Sequence, residues 1–195
     1  MYTLFISTYD KYINIGLLKD NEIIDSEIKE SEQSHSIYTV PLIKKILENN
    51  NLTVKDLNQI EVINGPGSFT GVRIGVTIAK TLAYTLNIPI KTISTLEAYA
   101  VSLEKQDDII VTLRDLKGVY YGIFNKNNEL LKPLNYLNKN DFDNYISTNN
   151  LTNNLINEEP ILDIKKIHEY LKNKQSTNSH QVNPLYIKQI EVEKC

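Results

Sequence analysis

The stretch NGPGSFTGVRIG, residues 64–75, holds four of the seven glycines in a chain of 195 residues. It follows the short apolar run IEVIN (60–64) and leads into a segment, 68–86, whose apolar residues recur at helical spacing. A strand, a glycine turn and a helix in this order bring backbone N–H groups and a helix N-terminus together, a geometry that suits an anion. Phosphate binding, catalysis and close packing of backbones are therefore the roles to weigh at this turn.

The spacing of these glycines matches neither standard phosphate fingerprint. A P-loop needs a lysine directly after its last glycine, and a dinucleotide-binding turn would need a glycine where Thr70 stands. The serine of the turn lies in no G-x-S-x-G elbow, and it precedes the helix at the position of an N-cap. We therefore predict a tight structural turn, with phosphate binding as the alternative. The turn comprises Gly65, Gly67, Ser68, Gly71 and Gly75.

The first half of the chain has the pattern of an antiparallel meander followed by alternating helices and strands. The predicted strands cover 2–8, 12–18, 22–28, 60–64 and 88–94, and the predicted helices cover 34–50, 68–86 and 95–103. Ser34 or Ser36 is the candidate N-cap of the first helix, which contains Pro41. Its apolar residues are expected on one buried face: Ile37, Val40, Ile43, Ile46 and Leu47.

The pattern begins again near residue 105 in a shorter form. Strands are predicted over 108–113, 118–124 and 127–137, followed by a short helix, a strand at 153–157 and an amphipathic helix at 161–173. A β-β-β-α-β-α unit thus occurs twice, which predicts an α/β protein with two lobes, 1–104 and a smaller 105–195. The polar stretch 174–183 is the candidate flexible connection.

Composition and charge exclude several classes of protein. A net charge of −3 and a pI near 5.7 argue against a chain that binds nucleic acid by itself. The N-terminal residues lack a signal-peptide pattern and no segment is long and apolar enough to span a bilayer, so we expect a cytoplasmic protein without a membrane segment. The single cysteine, Cys195, excludes an internal disulfide. The histidines His35, His168 and His180 are scattered, with no metal-ligand spacing.

The sequence GPGSFTGVRIGVTIAKTLA (65–83), followed by IPIKTISTLEAYA (88–100), resembles the signature of the TsaB (YeaZ) family. The likeness extends upstream to HSIYTVPLI (35–43) and is found again in NPLYIKQ (183–189) near the C-terminus. This resemblance implies the two-lobed fold of actin, sugar kinases and Hsp70-type ATPases, the ASKHA fold. It also implies a non-catalytic subunit in the synthesis of tRNA N6-threonylcarbamoyladenosine (t6A).

The resemblance bears on catalysis as well. TsaD, the catalytic relative, has two metal-binding histidines whose places are taken here by Thr95 and Tyr99. Two aspartates that face the nucleotide cleft in this fold are matched by Ser7 and Arg114, with Asp115 one place along. We therefore expect no enzyme activity and no cofactor bound by this chain alone, with ATP and a metal in partner subunits.

The partners implied by the resemblance are TsaD, as a heterodimer, and the ATPase TsaE, with tRNA reached only through the complex and no contact with a membrane. A homodimer is possible when TsaD is missing. The small-residue side of the second helix, where Gly71 and Gly75 lie, is expected to let a partner backbone come close. A glycoprotease-like hydrolase or small ATPase and a homodimeric interaction protein without a tRNA role are the alternatives. The predicted interface comprises Tyr38, Leu42, Lys45, Val72, Val76, Lys80 and Tyr84.

Overall fold

The computed structural model describes residues 1–31, 34–156 and 159–188, which form two β-sheets with helices packed on them. Cys195 lies outside the described residues, and so does Gln189, the last residue of the NPLYIKQ stretch (183–189). The strands are β1 (Tyr2–Ser7), β2 (Tyr12–Lys19), β3 (Glu22–Glu30), β4 (Gln59–Ile63), β5 (Ile90–Ile93), β6 (Ile109–Arg114), β7 (Gly118–Phe124) and β8 (Leu130–Asn138). The helices are α1 (His35–Asn49), α2 (Phe69–Leu86), α3 (Thr95–Ser102), α4 (Lys139–Thr148) and α5 (Ile164–Lys172).

The first sheet confirms the predicted meander and its continuation. Its strand order is β3-β2-β1-β4-β5, with β1 antiparallel to β2 and parallel to β4. Neighbouring residues of β1 point to opposite faces of the sheet. Ile6 lies beneath α2 near Gly75, whereas Phe5 lies beside Gly16, which is covered by Ile164 of α5. The first sheet is thus packed between helices, and its central strands are buried and mostly apolar.

The second sheet repeats this plan in a reduced form, as predicted. Its order is β6-β7-β8, again an antiparallel meander, and α4 packs on it through Phe142 and Ile146. Of the strand predicted at 153–157, the described residues 153–156 form one parallel bridge, between Leu155 and Ile110, and residue 157 lies outside the described residues. That bridge lies where the pairing of β4 with β1 lies in the first sheet. The α/β class, the doubled unit and the reduced second half are therefore confirmed.

The helix α5 lies beyond residue 104 in the sequence but packs on the first sheet. Its Ile164, Ile167 and Leu171 belong to the same hydrophobic core as β1 and β4. A boundary at residue 104 therefore separates the two β-meanders in the sequence. The core of the first lobe, however, also contains residues of α5, which follows the second meander.

His168 on α5 is fully buried. Its Nδ1 lies 2.9 Å from Oε1 of Glu61 on β4, and its Nε2 lies 2.8 Å from the Asp20 carbonyl oxygen. Gln59 donates a further hydrogen bond, of 2.7 Å, to the same Glu61 oxygen. Because both ring nitrogens of His168 face acceptors, both act as donors, and the ring is an imidazolium paired with a buried carboxylate.

The segment 174–183 is packed against the first lobe, so its interpretation as a flexible connection is wrong. Thr177 forms an antiparallel bridge with Ile90 of β5, and Val182 is buried. The Lys80 ammonium donates hydrogen bonds to the carbonyls of His180 (2.9 Å) and Val182 (3.2 Å). Those contacts fix the polar stretch along α2.

Candidate functional site

The glycine turn brings α2 against the end of β1. A β-carbon at Gly71 would lie 2.1 Å from the Thr8 carbonyl oxygen, and one at Gly75 would lie 2.3 Å from the Thr8 hydroxyl. That hydroxyl donates a hydrogen bond of 2.7 Å to the Gly71 carbonyl. The small-residue side of α2 therefore faces the chain's own sheet. The expectation that it admits a partner backbone is wrong.

Three backbone N–H groups around the start of α2, those of Ser68, Gly71 and Val72, are bonded within the chain. Ser68 is the N-cap, as predicted, and its hydroxyl accepts a hydrogen bond of 3.3 Å from the Gly71 N–H. The Ser68 N–H donates to the Tyr9 carbonyl at 2.6 Å, and the Val72 N–H donates to the Ser68 carbonyl at 2.9 Å. Because Gly71 and Gly75 also pack directly against Thr8, the turn favours the structural role over the phosphate alternative.

The residues at the places of the TsaD histidines serve internal contacts. Thr95 donates a hydrogen bond of 2.5 Å to the Pro66 carbonyl in the glycine turn. The Tyr99 hydroxyl lies 3.1 Å from that of Tyr9 and donates to Glu159 at 3.3 Å. Burial raises the pKa of both tyrosine hydroxyls, which therefore remain protonated donors.

Asp115 closes the turn between β6 and β7. It accepts hydrogen bonds from the N–H groups of Lys117 (2.8 Å) and Gly118 (2.7 Å) and from the Tyr136 hydroxyl (2.9 Å). Partial burial would raise the pKa of this carboxyl, but these donors outweigh burial and lower it. Asp115 is thus an ionised turn residue whose oxygens are already engaged.

The structure does not bring the seven predicted interface residues together on one surface. Val72 and Val76 are only 4% and 3% exposed and belong to the core, so they are corrected to structural positions. They lie inward because they share the face of α2 that packs on β1 and β4. Lys80 and Tyr84 lie beside the segment 174–183, where the Tyr84 ring contacts His180 at 4.8 Å between centres.

The other predicted residues lie on α1 and face β3. The Tyr38 ring is contacted by the Lys29 ammonium at 4.4 Å from its centre, and Lys45 forms an ion pair with Glu27. Leu42 is half-buried against the core. Tyr38, Leu42 and Lys45 as partner contacts stay a prediction.

Sequence reasoning missed an apolar groove between α1 and α2. It consists of two hollows of about 470 and 260 Å³ that share Val40 and Ile78. Val40 was expected inside with Ile37, but they are 54% and 63% exposed. The signal was present, because the apolar residues of α1 cover too wide an arc for one buried stripe. The apolar lining of this α1–α2 groove is Val40, Ile43, Leu47, Leu52, Val54, Phe69, Ile74, Ile78 and Leu82.

Comparison with known proteins adds the family. The family model described as TsaD, tRNA N6-adenosine threonylcarbamoyltransferase, matches residues 22–115. The tRNA threonylcarbamoyladenosine biosynthesis protein TsaB of Bacillus subtilis (strain 168) is 38% identical over 136 residues, 69% of this chain and 59% of that protein. The protein of the same name from Buchnera aphidicola subsp. Schizaphis graminum is 38% identical over 132 residues, 66% of this chain and 62% of that protein. These matches support an assignment to the TsaB family.

The fold agrees with this assignment. YeaZ from Pseudomonas aeruginosa superposes with a TM-score of 0.78 and covers 95% of this chain and 100% of that one, at 17% identity. By sequence, the match spans only about three fifths of each of the two TsaB relatives, 59% and 62%. None of the helices in the described part of the chain is long and apolar enough to cross a membrane. TsaB relatives are named for the biosynthesis of threonylcarbamoyladenosine in tRNA.

Proposed function

We propose that this chain is a non-catalytic scaffold subunit of the cytoplasmic complex that synthesises t6A in tRNA. It pairs with TsaD, which transfers the threonylcarbamoyl group, and the pair recruits the ATPase TsaE. ATP and the metal ion belong to those partner subunits, and tRNA is contacted only through the complex. The observation that carries this proposal is the exposed α1–α2 groove, in a chain whose relatives are named for this pathway.

The groove has the properties of a helix-binding surface. Val40 and Phe69 are more than half exposed and stand on opposite walls, one on α1 and the other on α2. Exposed apolar residues that are contiguous, rather than scattered, mark interaction sites in proteins. An amphipathic helix of the partner could bury them as i, i+3 and i+4 anchors. The groove thus replaces the inward-facing valines as the centre of the proposed interface.

The residues at the places of the TsaD histidines and of the two nucleotide-cleft aspartates support a scaffold rather than an enzyme. Thr95 and Tyr99 provide no imidazole and are engaged with Pro66 and Tyr9. Ser7 offers no carboxylate for a metal–phosphate complex, and Asp115 serves a turn. The role assigned to this chain is to hold TsaD in its active shape.

Reconstitution with purified TsaD, TsaE and threonylcarbamoyl-AMP tests the proposal. We expect mass spectrometry of digested tRNA to detect t6A only when this chain is added, and none with this chain alone. Equal modification by TsaD and TsaE without it would contradict the scaffold role. Turnover of Mg-ATP or hydrolysis by this chain alone would favour the alternative of a small ATPase or hydrolase.

Val40→Glu should weaken binding to TsaD by about 100-fold while the chain stays folded, because the interface would bury an unpaired carboxylate. Val40 is 54% exposed in the free chain, so the variant has little effect on the core. Leu116→Glu is the matched control, since Leu116 is fully exposed at a hairpin tip away from the groove. Analytical ultracentrifugation with and without TsaD measures pairing. Retained pairing of Val40→Glu would remove the groove from the interface.

The same experiment distinguishes the homodimer. If the groove joins two copies of this chain when TsaD is missing, Val40→Glu should leave a monomer, and added TsaD should convert the wild-type homodimer into the heterodimer. A homodimer that TsaD cannot displace would favour an interaction protein without a role in tRNA modification.

A further inference from the structure

Arg73 packs against two exposed aromatic rings, which also contact each other, at one end of the α1–α2 groove. Its guanidinium carbon lies 3.6 Å from the centre of the Phe69 ring and 5.7 Å from that of the Tyr186 ring. Its Nε donates a hydrogen bond of 2.7 Å to the Tyr186 hydroxyl. The two rings are 56% and 54% exposed, so they hold a cation at the surface instead of filling the core.

This arrangement leaves most donors of the guanidinium available. An arginine has five N–H donors, and the bond to Tyr186 uses only the one on Nε. Within 1–31, 34–156 and 159–188, no carboxylate forms an ion pair with Arg73. Because the rings already fix the side chain, little rotamer entropy remains to be lost when a ligand binds. Arg73 is a preorganised, two-pronged donor.

The position of Arg73 connects it with the proposed interface, since Phe69 and Arg73 both line the groove. We infer that the partner helix in the α1–α2 groove carries an aspartate or glutamate that binds Arg73 through two parallel hydrogen bonds. This inference rests on the proposed pairing with TsaD and adds its chemistry. The partner helix thus has an apolar stripe that binds in the groove and one carboxylate that binds Arg73 at the end of the groove.

The surroundings favour a protein carboxylate over a nucleic-acid phosphate. Nucleic-acid surfaces gain affinity by bringing several cations to successive phosphates, whereas this chain has a net charge of −3. Arg73 is the one charged residue among the described residues that line its hollow, and the others are apolar, serine or threonine. A single fixed cation in this hollow complements a helix with one acid at that end, whereas the charges at the other hollow, Lys44 and Glu48, already pair with each other.

Isothermal titration of purified cognate TsaD into variants of this chain tests the inference. Arg73→Met keeps a stem that packs on Phe69 but removes every donor, and we expect about 30-fold weaker binding. Arg73→Lys keeps the charge without the fork and should lose about 10-fold. Tyr186→Phe removes the hydrogen bond that orients the guanidinium, and it should reduce the affinity for TsaD by less than either Arg73 variant. Arg114→Met, a change of the only other arginine, should leave affinity unchanged.

The outcomes separate this inference from the proposed function. If Val40→Glu abolishes binding while Arg73→Met binds like the wild type, the carboxylate contact is overturned and the pairing stands. If the wild-type chain does not bind TsaD, both are overturned. If Arg73→Met leaves TsaD binding intact but weakens tRNA binding by the complex, the ligand is a phosphate, and the inference is wrong.

Reversing the charges on both sides of the contact tests whether binding can be rescued. Arg73→Glu should weaken binding more than Arg73→Met, because two carboxylates would then face each other. Changing each acidic residue of the TsaD docking helix to arginine in turn should restore affinity at one position only. If no position rescued binding, the inference would be overturned even if Arg73→Met bound TsaD weakly. In that case Arg73 would have a structural role, because a structural role predicts no rescue by a charge change in TsaD.

Discussion

Gly71→Ala is expected to lower the free energy of unfolding by about 3 kcal/mol, although alanine is intrinsically the better helix former by roughly 1 kcal/mol. The new β-carbon would lie 2.1 Å from the Thr8 carbonyl oxygen. This oxygen belongs to the backbone, so it cannot move aside without displacing the end of β1. Urea denaturation at 25 °C, followed by circular dichroism, measures the loss.

Two further variants on α2 show whether the close approach is the cause. Gly75→Ala places its β-carbon near the Thr8 hydroxyl, which can rotate away at the cost of its own hydrogen bond, about 1 kcal/mol. Thr81→Ala lies on the exposed side and should change stability by less than about 0.5 kcal/mol. If Gly71→Ala unfolded at the same urea concentration as Thr81→Ala, close packing of α2 on β1 would not be needed.

His168→Leu is expected to destabilise the chain by about 3–5 kcal/mol at pH 6, because it leaves the Glu61 carboxylate buried without its partner. The hydrogen bond to Glu61 raises the pKa of the His168 imidazolium above its ordinary value near 6.5, against the effect of burial and of the Lys172 charge. The stabilisation is therefore complete below pH 6.5 and is lost as the pH rises through the raised pKa. Urea unfolding of the wild type and of His168→Leu from pH 6 to pH 9 measures the difference between their free energies of unfolding, which should become smaller as the pH rises.

Glu61→Leu combined with His168→Leu is the matched control for the pair. Replacing both charges by apolar side chains removes the unpaired carboxylate and should recover most of the stability, without the pH dependence of the wild type. A His168→Leu deficit that stayed constant up to pH 9, or a double variant no better than the single one, would contradict the buried ion pair.

Local patterns were enough to predict most of the fold. The three β-branched runs before residue 30 could form only a meander, and Ser68 stood where an N-cap is needed before α2. The doubled β-β-β-α-β-α order followed from the same patterns. Among the described residues of the strand predicted at 153–157, only a bridge between Leu155 and Ile110 and a hydrogen bond from the Ile156 N–H to the Ile110 carbonyl are formed. Such pairing is decided by packing and not by propensity.

The candidate site was less predictable, because its residues depend on contacts between distant elements. Val76 and Val40 are equally apolar, yet Val76 lies on the buried face of α2 and Val40 lies exposed on α1. Which of the two is buried depends on how α2 sits on β1. The place of Arg73 was hidden for a similar reason, since Tyr186 lies 113 positions further along the chain.

The ion pair between Glu61 and His168 also sets an order of events during synthesis. The two residues are 107 positions apart, so at ribosomal speeds Glu61 emerges about 5–20 s before its partner. In that interval the nascent first sheet holds a carboxylate at a site that will become water-free, and α5 is not yet present to cover it. The sheet should therefore close only after α5 has been translated. Chaperones that bind exposed apolar strands would find their substrate in this interval.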